Sequence, residues 1–281
     1  MSKLQITDHG LIREVRLDRP EVHNAFDPEL IDLLHRTFLE IRNEVASGNA
    51  ELRAVLLSGS GKSFCAGADL GYMSSIASFG EAENIADADR LSGMLRAIRT
   101  CPVYVVARVH GAALGGGTGL LAACDLVVAS NEAIFGFTEV RLGILPAVIS
   151  PFVIERIGPS HARRLFPSGV RFDATEALRI GLVDRIVPPM QLDQAIEKEL
   201  SALLTAAPQA SREAKRLVET IGAALVARDE ETLYGETARW IARLRASEEG
   251  QEGMQAFFEK RPARWVRALP PLTAPPSSGE V

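Results

Sequence analysis

Three stretches of the sequence bring together residue types that can do chemistry. Leu114-Gly115-Gly116-Gly117-Thr118-Gly119-Leu120-Leu121-Ala122-Ala123-Cys124-Asp125 follows an apolar run, Val103–Val109, that reads as a buried strand. It leads into residues small and apolar enough for a buried helix. Glycines at a strand-to-helix turn allow positive φ and let a ligand approach the backbone closely. The first N–H groups of the helix have no intrahelical partner and point outward, so such a turn can hold an anion or a developing oxyanion. Taken alone, the run is equally what close helix–strand packing requires. A second stretch, Phe64-Cys65-Ala66-Gly67-Ala68-Asp69-Leu70, follows the strand Arg53–Ser58 and is again small and glycine-bearing. Two such turns can offer two N–H groups to one oxygen, which is the geometry of an oxyanion hole. The third stretch, Phe135-Gly136-Phe137-Thr138-Glu139-Val140-Arg141-Leu142-Gly143-Ile144-Leu145-Pro146, sets Glu139 among apolar residues at a strand end. Burial raises a carboxyl pKa and suits the group to proton transfer near neutrality. A surface glutamate, ion-paired with Arg141, is the alternative reading.

The elements that must position these turns can be read in order. Leu4–Thr7 and Ile12–Leu17 alternate around Asp8-His9-Gly10 and predict a hairpin. Asp27-Pro28 supplies a helix cap and a first-turn proline. Leu30, Leu33, Leu34, Phe38, Ile41 and Val45 then form an apolar stripe at helical spacing. The segment from Gly71 to Asp89 is polar, with Gly80 in its middle, and reads as a mobile stretch that lines a pocket. Leu91, Met94, Leu95 and Ile98 mark a further helix, and Leu126–Ala129 and Ala133–Phe135 mark two short strands. From Leu192 the pattern is helical over Leu192–Ala206, Ser211–Leu225 and Glu230–Ser247. The recurrence of strands with helices gives an α/β class.

Bulk properties narrow the function. A chain of 281 residues can bury a core without disulfides or metals. Its 31 basic and 36 acidic residues leave a net charge of −5, which favours neither nucleic acid nor an anionic membrane as partner. Cys65, Cys101 and Cys124 lack metal-ligand spacing and read as reduced and buried. The N-terminal residues lack a signal-peptide pattern, and no apolar run is long enough to span a bilayer, so a cytoplasmic protein is expected. Gly61-Lys62-Ser63 is not the end of a P-loop, because Leu56 stands where that motif needs its first glycine.

The two glycine turns resemble the signature segments of the crotonase (enoyl-CoA hydratase/isomerase) family. The similarity runs from about Ile12 to about Arg261. It includes Arg19-Pro20-Glu21-Val22-His23-Asn24-Ala25, Ala177–Val183 and Glu252–Arg261. The resemblance implies a spiral of ββα repeats over residues 1–188 carrying an acyl-CoA site. A helical region that joins subunits into a trimer, or a dimer of trimers, would follow over 189–264. Residues 265–281, rich in proline and serine, are expected to be a disordered tail.

By the same resemblance, Ala68 and Gly116 hold the thioester oxygen and Glu139 is the acid/base. Ala66, Ala68, Asp69, Leu70 and Gly116 line the CoA ester. Phe257 and Lys260 reach the CoA of a neighbouring subunit, and Lys62 lies near the CoA phosphates or is a solvated loop lysine. No metal or redox cofactor is implied; CoA arrives as part of the substrate.

One position departs from the family pattern. Hydratases of the family usually carry a second glutamate where this chain has Gly119. The surrounding residues, with Pro146-Ala147-Val148-Ile149-Ser150-Pro151, are similar to those of hydratases of 3-methylglutaconyl-CoA and isohexenylglutaconyl-CoA, and the altered segment 147–149 implies a reshaped acyl pocket. Three activities follow: a hydratase or dehydratase using Glu139 alone, an enoyl-CoA isomerase, or a non-catalytic CoA-binding scaffold.

Overall fold

The computed structural model describes residues 2–48 and 51–272. The chain divides into two units, one of Met1–Cys101 with Val105–Ile196, the other of Pro102–Tyr104 with Glu197–Val281. The division therefore falls later than residue 188. It cuts a continuous helix, and the sequence offers no break there.

The first unit opens with β1 (Leu4–His9) and β2 (Ile12–Leu17), an antiparallel pair with Leu4 opposite Leu17. Helix α1 (Pro28–Ala46) follows, its N-terminus capped by the Asp27 carboxylate, which accepts from Leu30 N at 2.9 Å. Leu30, Leu34, Phe38 and Ile41 bury the predicted stripe. Strand β3 (Ala54–Gly59) runs parallel to β2 and is buried along its whole length, as a strand covered on both faces must be.

After β3 come α2 (Leu70–Ile76) and α3 (Glu81–Arg99). Helix α2 and the first half of α3 occupy the stretch from Gly71 to Asp89, where the sequence pattern marks no helix. Asp69 caps α2 by accepting from Gly71 N and Tyr72 N, and Gly80 N donates to the Glu83 carboxylate at the start of α3. Periodicity could not show this, because the buried residues of α3 (Met94, Leu95, Ala97 and Ile98) all lie in its second half.

Strands β4 (Tyr104–Val109) and β5 (Ala112–Leu114) lead to α4 (Gly116–Ala123). Next come β6 (Leu126–Ser130), β7 (Ile134–Gly136) and α5 (Ser150–Leu165), which breaks at Gly158-Pro159. The unit closes with β8 (Arg171–Asp173), α6 (Ala174–Arg179), β9 (Arg185–Val187) and the start of α7 (Leu192–Leu203). Six strands form one sheet in the order β1-β2-β3-β4-β6-β9; β5-β7-β8 form a second. The strand–strand–helix unit thus recurs as β1β2α1, β4β5α4 and β6β7α5. After β3 the second strand shrinks to one bridge, Cys65 to Ala113.

The second unit is helical, with α8 (Pro208–Ala227), α9 (Thr237–Ala246) and α10 (Glu248–Phe258). A π-helical turn, Glu231–Glu236, joins α9 to what precedes it. The guanidinium groups of Arg216 and Arg243 lie over the Trp240 ring, 5.5 and 5.9 Å from its centroid. Trp265 Nε1 donates to Thr205 O. Of the tail, residues 265–272 form neither helix nor strand, and 273–281 lie outside the described residues.

Candidate active site

The segment Phe64–Asp69 is held along both edges by backbone hydrogen bonds. On one side Phe64 N and Cys65 N donate to His110 O and Ala112 O, and Leu114 N donates to Cys65 O. On the other side Ala66 N donates to His23 O, Phe26 N to Gly67 O at 2.7 Å, and Asp69 N to Phe26 O at 2.8 Å. Clamped in this way, the first glycine turn lies against the second. The approach is so close that a Cβ on Gly117 would stand 2.3 Å from Cys65 O, so only glycine fits there.

Two N–H groups stand at these turns without a backbone partner among the described residues. Gly116 is the first residue of α4, so its N–H has no intrahelical partner. Ala68 is exposed, and among the described residues its N–H donates to no backbone group. The helix that starts at Gly116 adds the positive end of its dipole. Oxygen charge that develops against these groups meets donors already in place.

Glu139 is the first residue of a one-turn 3₁₀ helix, Glu139–Leu142, three residues beyond the end of β7. Its carboxyl is beside the second turn. A Cβ on Gly115 would lie 3.4 Å from Glu139 Oε1. Oε2 is buried with no hydrogen-bond partner among the described residues. Burial pushes the carboxyl above its ordinary value, and its own backbone N–H pulls weakly the other way. Arg141 is exposed, its side chain near Gly169, so the reading of Glu139 as its surface partner is corrected. A part-buried carboxyl with no ion pair among the described residues is equipped to accept and return a proton.

Gly119 follows Gly115 by four residues, one helical turn along the same face of α4. A Cβ there would stand 2.3 Å from Ile149 Cγ2 and 2.9 Å from Ile149 Cβ. Ile149 is only 2% exposed. The space that a side chain at 119 would enter is filled by this isoleucine. Glu139 is therefore the one carboxyl at this face of α4 among the residues singled out for chemistry.

The other expected residues are placed differently. The Asp69 carboxylate is committed to structure: Oδ1 caps α2 and Oδ2 pairs with Arg19 at 3.0 Å, which holds it below the usual carboxylate range despite some burial. Ala66 is half-buried. Leu70 is 80% exposed, free to meet an apolar part of a ligand. Lys62 lies on an exposed loop. Phe257 and Lys260 belong to the second unit, at the end of α10. There Phe257 and Phe258 are both 79% exposed, and Lys260 takes a left-handed backbone with φ 54°.

Two residues of the clamp had no role assigned from sequence. Asn24 is fully buried, with φ 56°. Its Nδ2 donates to Ser60 O and Ser63 O, each at 2.8 Å, and its Oδ1 accepts from Arg19 N at 2.8 Å. Arg19 in turn donates to Ala25 O and pairs with Asp69. The signal was present in His23-Asn24: asparagine tolerates the left-handed region, and a buried amide needs several partners.

Residues 7–268 match the family model described as enoyl-CoA hydratase/isomerase. The chain belongs to that family. A crystal structure of an enoyl-CoA hydratase from Shewanella pealeana superposes with a TM-score of 0.87 at 37% identity, covering 94% of this chain and 96% of that one. The mevalonyl-coenzyme A hydratase of Aspergillus fumigatus is 33% identical, over 92% of each chain. The crotonyl-CoA hydratase of Syntrophomonas wolfei is 31% identical, over 89% of this chain and 92% of its own. The α/β architecture is thus the crotonase fold, and the protein is an enzyme of the enoyl-CoA hydratase type. Among the described residues, no helix is long and apolar enough to cross a membrane.

Proposed function

We propose that the protein adds water to, or removes it from, a 2-enoyl-CoA ester, using Glu139 as its single acid/base. The observation that carries this reading is a half-buried carboxyl, one oxygen of which has no hydrogen-bond partner among the described residues, beside the free N–H groups at the adjacent helix start. In the hydration direction, the thioester oxygen accepts from Ala68 N–H and Gly116 N–H. Ionised Glu139 takes a proton from water as the water oxygen bonds to Cβ. The electron pair of the C=C bond moves toward the thioester oxygen as enolate charge, and the two N–H groups stabilise it. Glu139 then returns its proton to Cα. Both protons of the added water are accounted for, one on the new hydroxyl and one on Cα. The step moves protons and water only, so no metal or redox cofactor is called for.

A branched, glutaconyl-type ester is the substrate we favour, on the similarity of the segment 146–151. The substrate's own second carboxylate would then help to hold the water that no side chain at 119 can hold. Isomerisation is the second reading, and the filled space at Gly119 favours it, because one carboxyl can carry a proton between carbons without water. Assembly as a trimer or a dimer of trimers is supported by apolar side chains left exposed in the second unit, among them Val218, Leu225, Val226 and Tyr234. We place the protein in the cytoplasm.

The test is a side-by-side turnover assay with 3-methylglutaconyl-CoA, crotonyl-CoA and a trans-3-enoyl-CoA, with products identified by mass. Gain of one water by 3-methylglutaconyl-CoA, with crotonyl-CoA poor, supports the proposal. A product of unchanged mass from the 3-enoyl ester, with no hydration of any substrate, makes the protein an isomerase.

A further inference from the structure

The loop from β7 to α5 carries both Glu139 and Ile149, and it straddles one face of α4. Glu139 meets that face at Gly115 and Ile149 meets it one turn later at Gly119. The loop is braced between these two points. Ile144 N and Gly143 N donate to Glu139 O and Val140 O, Ala147 N donates to Leu145 O, and Ser150 N donates to Ala147 O. Ile149 immediately precedes α5, and its carbonyl accepts from Val153 N at 3.0 Å, so its backbone is anchored by the first turn of that helix. Its β-branched side chain has little rotamer freedom with which to retreat. Gly119 and Ile149 are both buried, so the contact is part of the interior and not of an open surface.

From this arrangement we infer that Ile149 is a specificity-determining residue. It is an apolar plug that closes the second turn of α4 to any proton-carrying side chain and confines acid/base chemistry to Glu139. The inference deepens the single-carboxyl reading and rests on it. It goes further in assigning the restriction to residue 149, whose side chain fills the space beside Gly119. With the plug in place, neither a carboxylate nor water held by one can stand opposite Glu139, and substrates that need a second acid/base are turned over poorly. With the plug removed, the same face has room for a carboxylate at position 119.

The test compares Gly119→Glu, Ile149→Ala and the double variant with the wild-type protein, by thermal melting and by crotonyl-CoA hydration. The expected result is a marked loss of melting temperature in Gly119→Glu and recovery of most of that loss in the double variant. The double variant should also hydrate crotonyl-CoA at least about tenfold faster than Ile149→Ala, a modest share of what a placed general base contributes. The inference is overturned by a Gly119→Glu variant that melts like the wild type. It is equally overturned by a double variant that melts no higher than Gly119→Glu, or that folds and hydrates crotonyl-CoA no faster than Ile149→Ala. A Gly119→Ala variant with and without Ile149→Ala repeats the melting comparison with the smallest possible side chain. The wild-type assay separates the two ideas. A wild-type protein that isomerises and never hydrates removes the hydratase reading, whereas the melting comparison still reports on the plug.

Discussion

Gly117→Ala is the substitution that links the packing of the two glycine turns most directly to catalysis. The added methyl would sit 2.3 Å from Cys65 O, 2.9 Å from Cys65 Cβ and 3.0 Å from Cys65 C. Ordinary contacts between carbon atoms are about 3.5–4.0 Å, so the two turns must separate by roughly 1 Å. Cys65 O cannot rotate aside, because it accepts from Leu114 N at 3.0 Å and bridges the segment to β5. Overpacking of this kind costs about 1–3 kcal/mol. Replacing glycine inside a helix returns roughly 0.5–1 kcal/mol. The net loss is about 0–2.5 kcal/mol, which lowers the melting temperature by up to roughly 10 °C in a domain of this size.

The larger effect of Gly117→Ala falls on the chemistry. Ala68 rides on the segment that is pushed away, and Gly116 stays with α4. Misplacing one oxyanion donor costs about 10²–10³ in kcat. The assay is steady-state turnover of the substrate identified above, with melting in parallel. Gly222→Ala is the control, because a Cβ at that position meets nothing within 4 Å. A Gly117→Ala enzyme that keeps its kcat within a few-fold of wild type would refute the idea that contact between the turns sets the oxyanion geometry.

Four further outcomes are expected. Glu139→Gln lowers kcat by about 10²–10⁴-fold, and acyl-CoA binding, measured by calorimetry, is nearly unchanged. The pH–rate profile for hydration falls on its acid side at a pH above the ordinary carboxyl value of 4.5, because burial raises the Glu139 pKa and the step needs the ionised form. The same shift has a sign for stability. The native state binds the proton more tightly than the unfolded state, so this group opposes folding as pH rises past 4.5 through its raised value, and Glu139→Gln should melt no lower than wild type at neutral pH. Asn24→Ala leaves Ser60 O, Ser63 O and Arg19 N without their partner and puts alanine in a left-handed conformation. A loss of about 3–5 kcal/mol in denaturant unfolding is expected, and Asn24→Gly should recover only the backbone part.

The sequence by itself determined the elements whose evidence is local. Asp27-Pro28 and the apolar stripe behind it specify α1, the all-apolar run at 54–57 specifies a strand covered on both faces, and the glycine turns announce a backbone site. The resemblance carried the fold and the family. It could not foresee α2 and the start of α3, because their caps are local but their early turns bury too little to leave a period. The local sequence left Glu139 open between a surface ion pair and an acid, and only the resemblance pointed to the acid, since charge, burial and partner are properties of the surroundings in space. Only the tertiary structure turned Arg141 outward and left Glu139 Oε2 buried with no hydrogen-bond partner among the described residues. The same is true of Gly119. In the sequence it is a missing glutamate; in the folded chain it is a position filled by Ile149, thirty residues away along the chain but 2.3 Å from where its Cβ would be. Composition and periodicity fix what each element is, but the distance between two elements is set by which side chains meet across them.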